Sequence, residues 1–511
     1  MDGIARYFHF AERGTSFGTE VRAGLTTFMV MAYIIFLNPT ILSSGALAEA
    51  GPPFLAVAVG TALAAGILCL AMGLATNYPF AMAAGLGLNA VVAFELILGR
   101  GFLWQEAMAV IIWEGLIITL LVLTGLREAV MNAIPLTLKR AIAVGIGLFI
   151  LFIGLVNGGF VTATPGGVPP VSPGSITNVA ILTFVIGLGI ALALMAMRVT
   201  GALLISIIAT TIVAIVLNAA VTPAASGFLP NTAVLPQQYL FDFSPANFQT
   251  ILAPLAPEFL FGIFTKGPEV PLLTVILVIF SLMLSDFFDT MGTVIGVGEQ
   301  AGFVDEGGRL PGIRKVLLVD SLGAVLGGAF GVSSNTTYIE SAAGVSEGGR
   351  TGLTAVVVGL LFLVAILFAP IAGIVPAQAT APVLVIVGYL MFTIARDFDW
   401  RPAGTGAAGD GDHDLRGAPG VAGIERAQRH RFTGPDITEM FPALATMIVM
   451  PLTFRITDGI AAGFVTYVFL KVVTGRAREV HPLLWIVAVA FLVFFAAPWL
   501  QGIISPAPPE G

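Results

Sequence analysis

The chain has 511 residues, of which 57% are hydrophobic and only 10% charged, with a mean hydropathy of +0.97 and a formal net charge of −7. Soluble domains carry about 25% charged residues, so the composition excludes an ordinary water-soluble globule and indicates a polytopic membrane protein with room for about 12 to 15 spans. The acidic balance and lack of a basic run exclude a nucleic-acid partner; the single cysteine, Cys69, excludes an intrachain disulfide, and His9, His413, His430 and His481 lack metal-ligand spacing.

Residues 1–21 are mixed polar and aromatic and read as an amphipathic surface helix, not a cleaved signal peptide. Span 1 is expected at 23–44 and span 2 at 54–75. Span 3, 78–98, holds Pro79, Gly85, Gly87 and Asn89 and reads as short or interrupted. Spans 4 to 7 are expected at 104–124, 129–156, 177–196 and 200–221. A long Pro-containing segment, 222–268, follows. The second half then gives span 8 at 270–298, span 9 at 315–332, a short span 10 at 335–346, and spans 11 to 14 at 352–370, 377–395, 437–454 and 458–475. A last apolar stretch, 482–500, is either a further span or interfacial. The Gly-rich, charged stretch 396–435 reads as a connector.

The basic residues set the orientation. With the N-terminus cytoplasmic, only Arg100, Lys266 and Arg455 of the 23 Lys and Arg fall outside. That asymmetry follows the positive-inside rule. A multi-pass protein of the plasma or inner membrane is expected, with the lipid bilayer as its surroundings.

The long outside segment divides the chain into two similar halves. Each opens with a long span, then a second, then a short broken third: AMAAGLGLNAVVAFEL in the first half, GVSSNTTYIESAAGV in the second. An odd number of spans per half makes the halves run in opposite directions. Transporters built as inverted repeats bind substrate near the midplane at such discontinuous segments. The expected fold is therefore all-α, with about fourteen spans in two inverted repeats and broken spans 3 and 10.

The chemistry gathers in SDFFDTMGTVIG, 285–296. A carboxylate at the centre of a bilayer helix costs roughly 2.5–3.5 kcal/mol on insertion scales, so such residues are rare and mark function. Asp286, Asp289, Thr290 and Thr293 recur at helical spacing and share one face. The second short span adds Asn335, Thr336, Thr337 and Glu340, and the matching segment of the first half adds Asn89. Carboxylates accept hydrogen bonds side by side, and an amide both donates and accepts. This set matches the edge of a flat heterocycle. The candidate substrate-binding residues are Asp286, Glu340, Asn89, Thr337 and Asn335; the candidate proton-coupling acids are Asp286, Asp289 and Glu340. No metal or other cofactor is expected beyond the proton as coupling ion. Glu114 and Asp320 read as structural acids.

At these residues the sequence resembles the azaguanine-type (AzgA-like) purine permeases, within the nucleobase transporters that share the uracil-permease fold. The similar stretches are TTFMVMAYIIFLNP at 26–39, GLGLNA at 85–90, SDFFDTMGTVIG at 285–296, NTTYIESAAGVSEGGRTGLTA at 335–355 and MPLTFRITDGIAAGF at 450–464. The resemblance implies a core domain of spans 1–4 and 8–11 (residues 22–125 and 268–370). It implies a gate domain of spans 5–7 and 12–14 (126–222 and 371–503). It further implies proton symport of a purine base (adenine, guanine or hypoxanthine) by alternating access, not enzyme catalysis, and it allows a homodimer through the gate domain. Two other readings stand beside it. One is an inorganic or organic anion carrier on the same fold, which three acids would oppose. The other is an intramembrane Mg-dependent transferase, which would want a second acidic cluster and basic residues.

Overall fold

A computed structural model of the chain describes residues 2–125, 133–164, 170–175, 178–220, 240–266, 271–304, 310–393 and 436–504. The connector at 396–435, the start of span 5 at 129–132 and residues 222–239 lie outside the described residues. In a bilayer each backbone polar group must find its partner within the protein, and helices do this locally. Among the described residues, nine helices are long and apolar enough to cross a membrane.

The first half runs through Phe17–Ser43, Phe54–Thr76, Leu86–Leu98, Trp104–Thr124, Leu136–Asn157, Val179–Ala196 and Ala202–Ala220. These are spans 1 to 7. The second half repeats the order as Leu272–Gln300, Ile313–Ala329, Ser341–Ser346, Gly352–Ala372, Ala377–Phe392, Ile437–Thr453 and Ile456–Val473, which are spans 8 to 14. The stretch left open by the sequence is a helix, Pro482–Ile504, which packs on spans 14 and 8.

Two differences from the sequence expectation matter for the site. Residues 2–16 hold two short helices, Asp2–Tyr7 and Phe10–Arg13, before span 1 begins at Phe17 under a Ser16 cap. Span 1 itself is broken. Its helix stops at Met31 and restarts at Ile34, and the bonds Ile35 N–H to Ala32 O and Phe36 N–H to Tyr33 O close tight three-residue turns across the gap. Pro39, without an N–H, further thins the ladder of the second piece.

The broken spans 3 and 10 each begin with a strand. Met82–Ala84 pairs antiparallel with Asn335–Thr337, with Met82 opposite Thr337, Ala83 opposite Thr336 and Ala84 opposite Asn335. Extended backbone at membrane depth needs a partner, and here each half supplies the other's. The ladder continues through Gly85 N–H to Ser334 O at 2.8 Å and Tyr338 N–H to Ala81 O at 2.9 Å.

The helices sort into two bundles. In the first, span 2 packs on span 11 as span 9 packs on span 4, and span 1 packs on span 11. In the second, span 5 packs on spans 12 and 13, and span 6 on spans 7 and 12. These reciprocal contacts express the two inverted repeats.

Candidate functional site

The two bundles face each other across a cavity of about 580 Å³ of empty space, counting its mouth. On the side of the first bundle, where span 8 packs on span 4 and the paired spans 3 and 10 pack on span 9, it is lined by Tyr33, the turn Gly85–Leu88, Ser285, Asp289, Thr293 and the run Thr337–Glu340. The second lines it with Ile146, Ile150, Val387 and Met391. One wall is polar and carries both carboxyls; the other is aliphatic.

Glu340 stands at the junction of strand and half-helix in span 10. The hydroxyl of Tyr33 donates to its Oε1 at 2.6 Å. Tyr33 sits at the break of span 1, so the two discontinuities meet in one hydrogen bond. Sequence reasoning did not single out Tyr33; a tyrosine in the middle of an apolar span, needing a partner for its hydroxyl, was the available signal.

On span 8 the expected acidic face divides. Ser285, Asp289 and Thr293, each one helical turn apart, line the cavity. Asp286 and Thr290 lie about 100° round the helix from Ser285 and Asp289 and are buried in the first bundle. Thr290 donates to Asp320 Oδ2 at 2.6 Å, and its hydroxyl lies 3.0 Å from that of Thr336. The opposite oxygen of Asp320 accepts from both the backbone N–H and the hydroxyl of Thr337, at 2.9 and 2.8 Å. Asp320 therefore braces the residue beside which the cavity opens.

The structure thus brings Glu340, Thr337 and Asp289 together at the cavity. Asn89 and Asn335 are fully buried outside its lining. Asn89 donates to Asn38 Oδ1 at 2.7 Å, and Asn38 in turn donates to Val332 O and Thr61. Asn335 donates to Ser333 O at 3.3 Å. Both amides fasten the turns that carry spans 3 and 10.

Glu340 and Ile339 also line a second, wider cavity with Thr26, Arg198, Ser346 and Glu347. It opens toward the face that carries the turn between spans 6 and 7. The opposite face is fastened across the bundles. Arg100 pairs with Glu95 at 2.9 Å, Glu95 accepts from Thr457 N–H at 3.3 Å, and Arg455 donates to Gly99 O at 3.4 Å. Span 3 is thereby tied to the corner between spans 13 and 14 on one side, while the site is reached from the other.

Comparison with known proteins adds a family and a fold. The model of a family described as the Permease family matches residues 18–403. The adenine permease AdeP of Escherichia coli (strain K12) is 37% identical over 490 residues, covering 96% of this chain and 95% of that protein. The guanine/hypoxanthine permease PbuG of Bacillus subtilis (strain 168) is 35% identical over 495 residues, covering 96% and 98%. Among solved structures, the transmembrane domain of the cyanobacterial bicarbonate transporter BicA aligns with a TM-score of 0.57 at 18% identity, covering 87% of this chain and 96% of that one. Murine Slc26a9, an anion transporter in the inward-facing state, gives 0.57 at 9% identity, covering 90% and 69%. At those identities the likeness is one of fold.

Proposed function

The chain belongs to the xanthine/uracil permease family and is a multi-pass membrane transporter rather than an enzyme, and from that premise we propose that it takes up a purine nucleobase (adenine, guanine or hypoxanthine) by proton symport. The observation that carries the reading is the two-sided cavity. Its polar wall holds Glu340, Asp289 and Thr337, and its aliphatic wall holds Ile146, Ile150, Val387 and Met391.

A purine is flat, apolar on its faces and studded with N–H donors and nitrogen acceptors on its edge. Carboxylates accept two N–H bonds side by side, and the Thr337 hydroxyl, its proton given to Asp320, is left to accept one. The aliphatic wall covers the ring face. Asn89 and Asn335 support the binding turns from inside the first bundle, where Asp286 is also buried. Asp289 and Glu340, with Asp286 behind them, make base binding and proton binding interdependent, because a proton on one acid changes what its neighbour can accept.

In this reading the first bundle is the core and the second the gate. The site is exposed alternately as the core moves against the gate. The distribution of basic residues supports a cytoplasmic N-terminus in a plasma or inner membrane, and on that orientation the wide cavity beside Arg198 is the inward mouth. The anion-carrier reading is disfavoured by the lining itself: among the described residues the cavity holds two carboxyls and no lysine or arginine.

The test is uptake of radiolabelled adenine, guanine and hypoxanthine into cells lacking their own purine permeases, at several external pH values and with an uncoupler. Saturable, uncoupler-sensitive uptake of at least one base is expected. No uptake of any of the three, from protein shown to be in the membrane, would overturn the reading.

A further inference from the structure

We propose that Glu114 of span 4 is a further proton-binding residue, working as a pair with Asp320 of span 9 behind the substrate cavity. The inference rests on the symport reading and adds a proton site to the acids that line the cavity. It also departs from the sequence expectation, in which both residues were structural.

Glu114 is fully buried, and neither of its carboxyl oxygens has a hydrogen-bond partner among the described residues. Its neighbours on the helix are committed elsewhere. The indole of Trp113 donates to Leu260 O at 2.8 Å. Gly115 lets span 9 approach so closely that a Cβ there would stand 2.7 Å from the backbone nitrogen of Val325. One turn on, Thr119 donates to Ser321 Oγ at 3.1 Å. This stretch of span 4 is therefore pressed on the stretch of span 9 that carries Asp320, and the two carboxyls act on each other electrostatically.

The other charged groups on elements packed around span 4 are Asp286, Asp289 and Glu299 on span 8, Glu95 beside Arg100 at the end of span 3, Glu258 in the 245–264 segment, and Arg314 and Lys315 at the start of span 9. Glu95 is held by Arg100, and Arg314 donates to Leu123 O at 2.7 Å. Asp320 is the group whose charge reaches Glu114.

The two carboxyls differ in what surrounds them. Asp320 accepts three hydrogen bonds, from Thr337 N–H, Thr337 Oγ1 and Thr290 Oγ1, an environment made for an anion. Glu114 has no donor to stabilise a charge, and a buried carboxyl in that position keeps its proton. The pair thus holds one proton on Glu114. Removing it adds a second negative charge where spans 4 and 9 are packed together, and the repulsion bears on Asp320, whose hydrogen bonds hold Thr337. Thr337 lines the cavity next to Tyr338, Ile339 and Glu340. Proton occupancy at Glu114 and the shape of the substrate cavity are therefore linked in both directions.

The experiment uses the full chain in proteoliposomes, with whichever of adenine, guanine and hypoxanthine the wild type accumulates. Two modes are measured: accumulation driven by an inward proton gradient, and exchange of internal for external base without a gradient. Glu114→Gln is expected to keep exchange within about twofold while gradient-driven accumulation falls about tenfold and its pH dependence flattens. Glu114→Asp is expected to recover part of the accumulation. Wild-type accumulation by Glu114→Gln overturns the proposal. So does loss of both modes in Glu114→Gln and Glu114→Asp alike, which marks a purely structural residue. Wild-type protein that exchanges base but ignores the gradient overturns symport itself, and is distinguishable because no variant is needed to see it.

Discussion

Tyr33 and Glu340, one at the break of span 1 and the other at the break of span 10, are joined by a 2.6 Å hydrogen bond that fixes the carboxylate at the cavity. A hydrogen bond to a charged group is worth about 1.5–3 kcal/mol. Tyr33→Phe is expected to raise the KM for the transported base about tenfold or more, with membrane abundance unchanged. Kinetics indistinguishable from wild type would show that Glu340 is positioned by other means.

The bundles touch closely where Gly87 of span 3 meets Ile146 of span 5. A Cβ at Gly87 would lie 2.6 Å from Ile146 Cγ2. Such a contact forces one side to shift, at about 1–3 kcal/mol for an overpacked site. Gly87→Ala is expected to slow transport at least about fivefold, and adding Ile146→Ala, which removes the offending methyl, to restore most of the rate. Failure of the second substitution to rescue would place the defect in the turn itself rather than at the boundary.

Arg100 and Glu95 form an ion pair with side chains 10% and 0% exposed. Removing one partner of a buried pair leaves a stranded charge and costs about 3–5 kcal/mol. Arg100→Ala should therefore lower the melting temperature in detergent sharply. Arg100→Ala combined with Glu95→Gln should recover much of the loss, since the stranded charge is gone. Equal melting of the single and double variants would mean that Glu95 finds another cation.

At the other face Arg476 donates to Asp436 at 2.6 Å and to both oxygens of Glu479 at 2.7 and 2.8 Å, and Lys471 reaches Glu439 and Glu479. Partial burial pushes the Asp436 carboxyl up, but hydrogen bonds from Arg476 and Thr438 outweigh it and hold the group at about 2. The bonds from Arg476 and Lys471 likewise hold Glu479 at about 2. Both values lie below those of unfolded carboxyls, so the stabilisation is complete above about pH 4–5 and fades as pH falls toward 2. Melting curves of wild type and of Asp436→Asn with Glu479→Gln should differ at pH 6 and converge as the pH is lowered through this window. A constant difference across it would deny these groups their role.

The order of the spans was legible because lipid demands long apolar runs, and the broken segments 3 and 10 announced themselves through Pro79, Gly85, Gly87 and the polar run from Ser333 to Thr337. Glu340, Thr337 and Asp289 stood out because polar side chains are costly at that depth. The break of span 1 did not show, since Ala32 and Tyr33 differ little in pattern from their neighbours. Nor did the strands: Met-Ala-Ala and Asn-Thr-Thr become extended because each finds the other, a pairing between halves that no local window contains. From sequence Asp320 reads only as a structural acid, a few residues beyond Arg314 and Lys315. Only the packing of span 9 on span 10 turns it toward Thr337.

The short strand pair has a mechanical consequence. Three residues from each repeat are stitched together at the point where both halves present their binding groups. The two half-sites cannot part without tearing that ladder. On the alternating-access reading proposed above, a bound molecule rides with a rigid cassette built from both ends of the chain. On that reading the surface that slips is the smooth aliphatic one, from Ile146 to Met391, which can slide past its cargo without breaking a hydrogen bond.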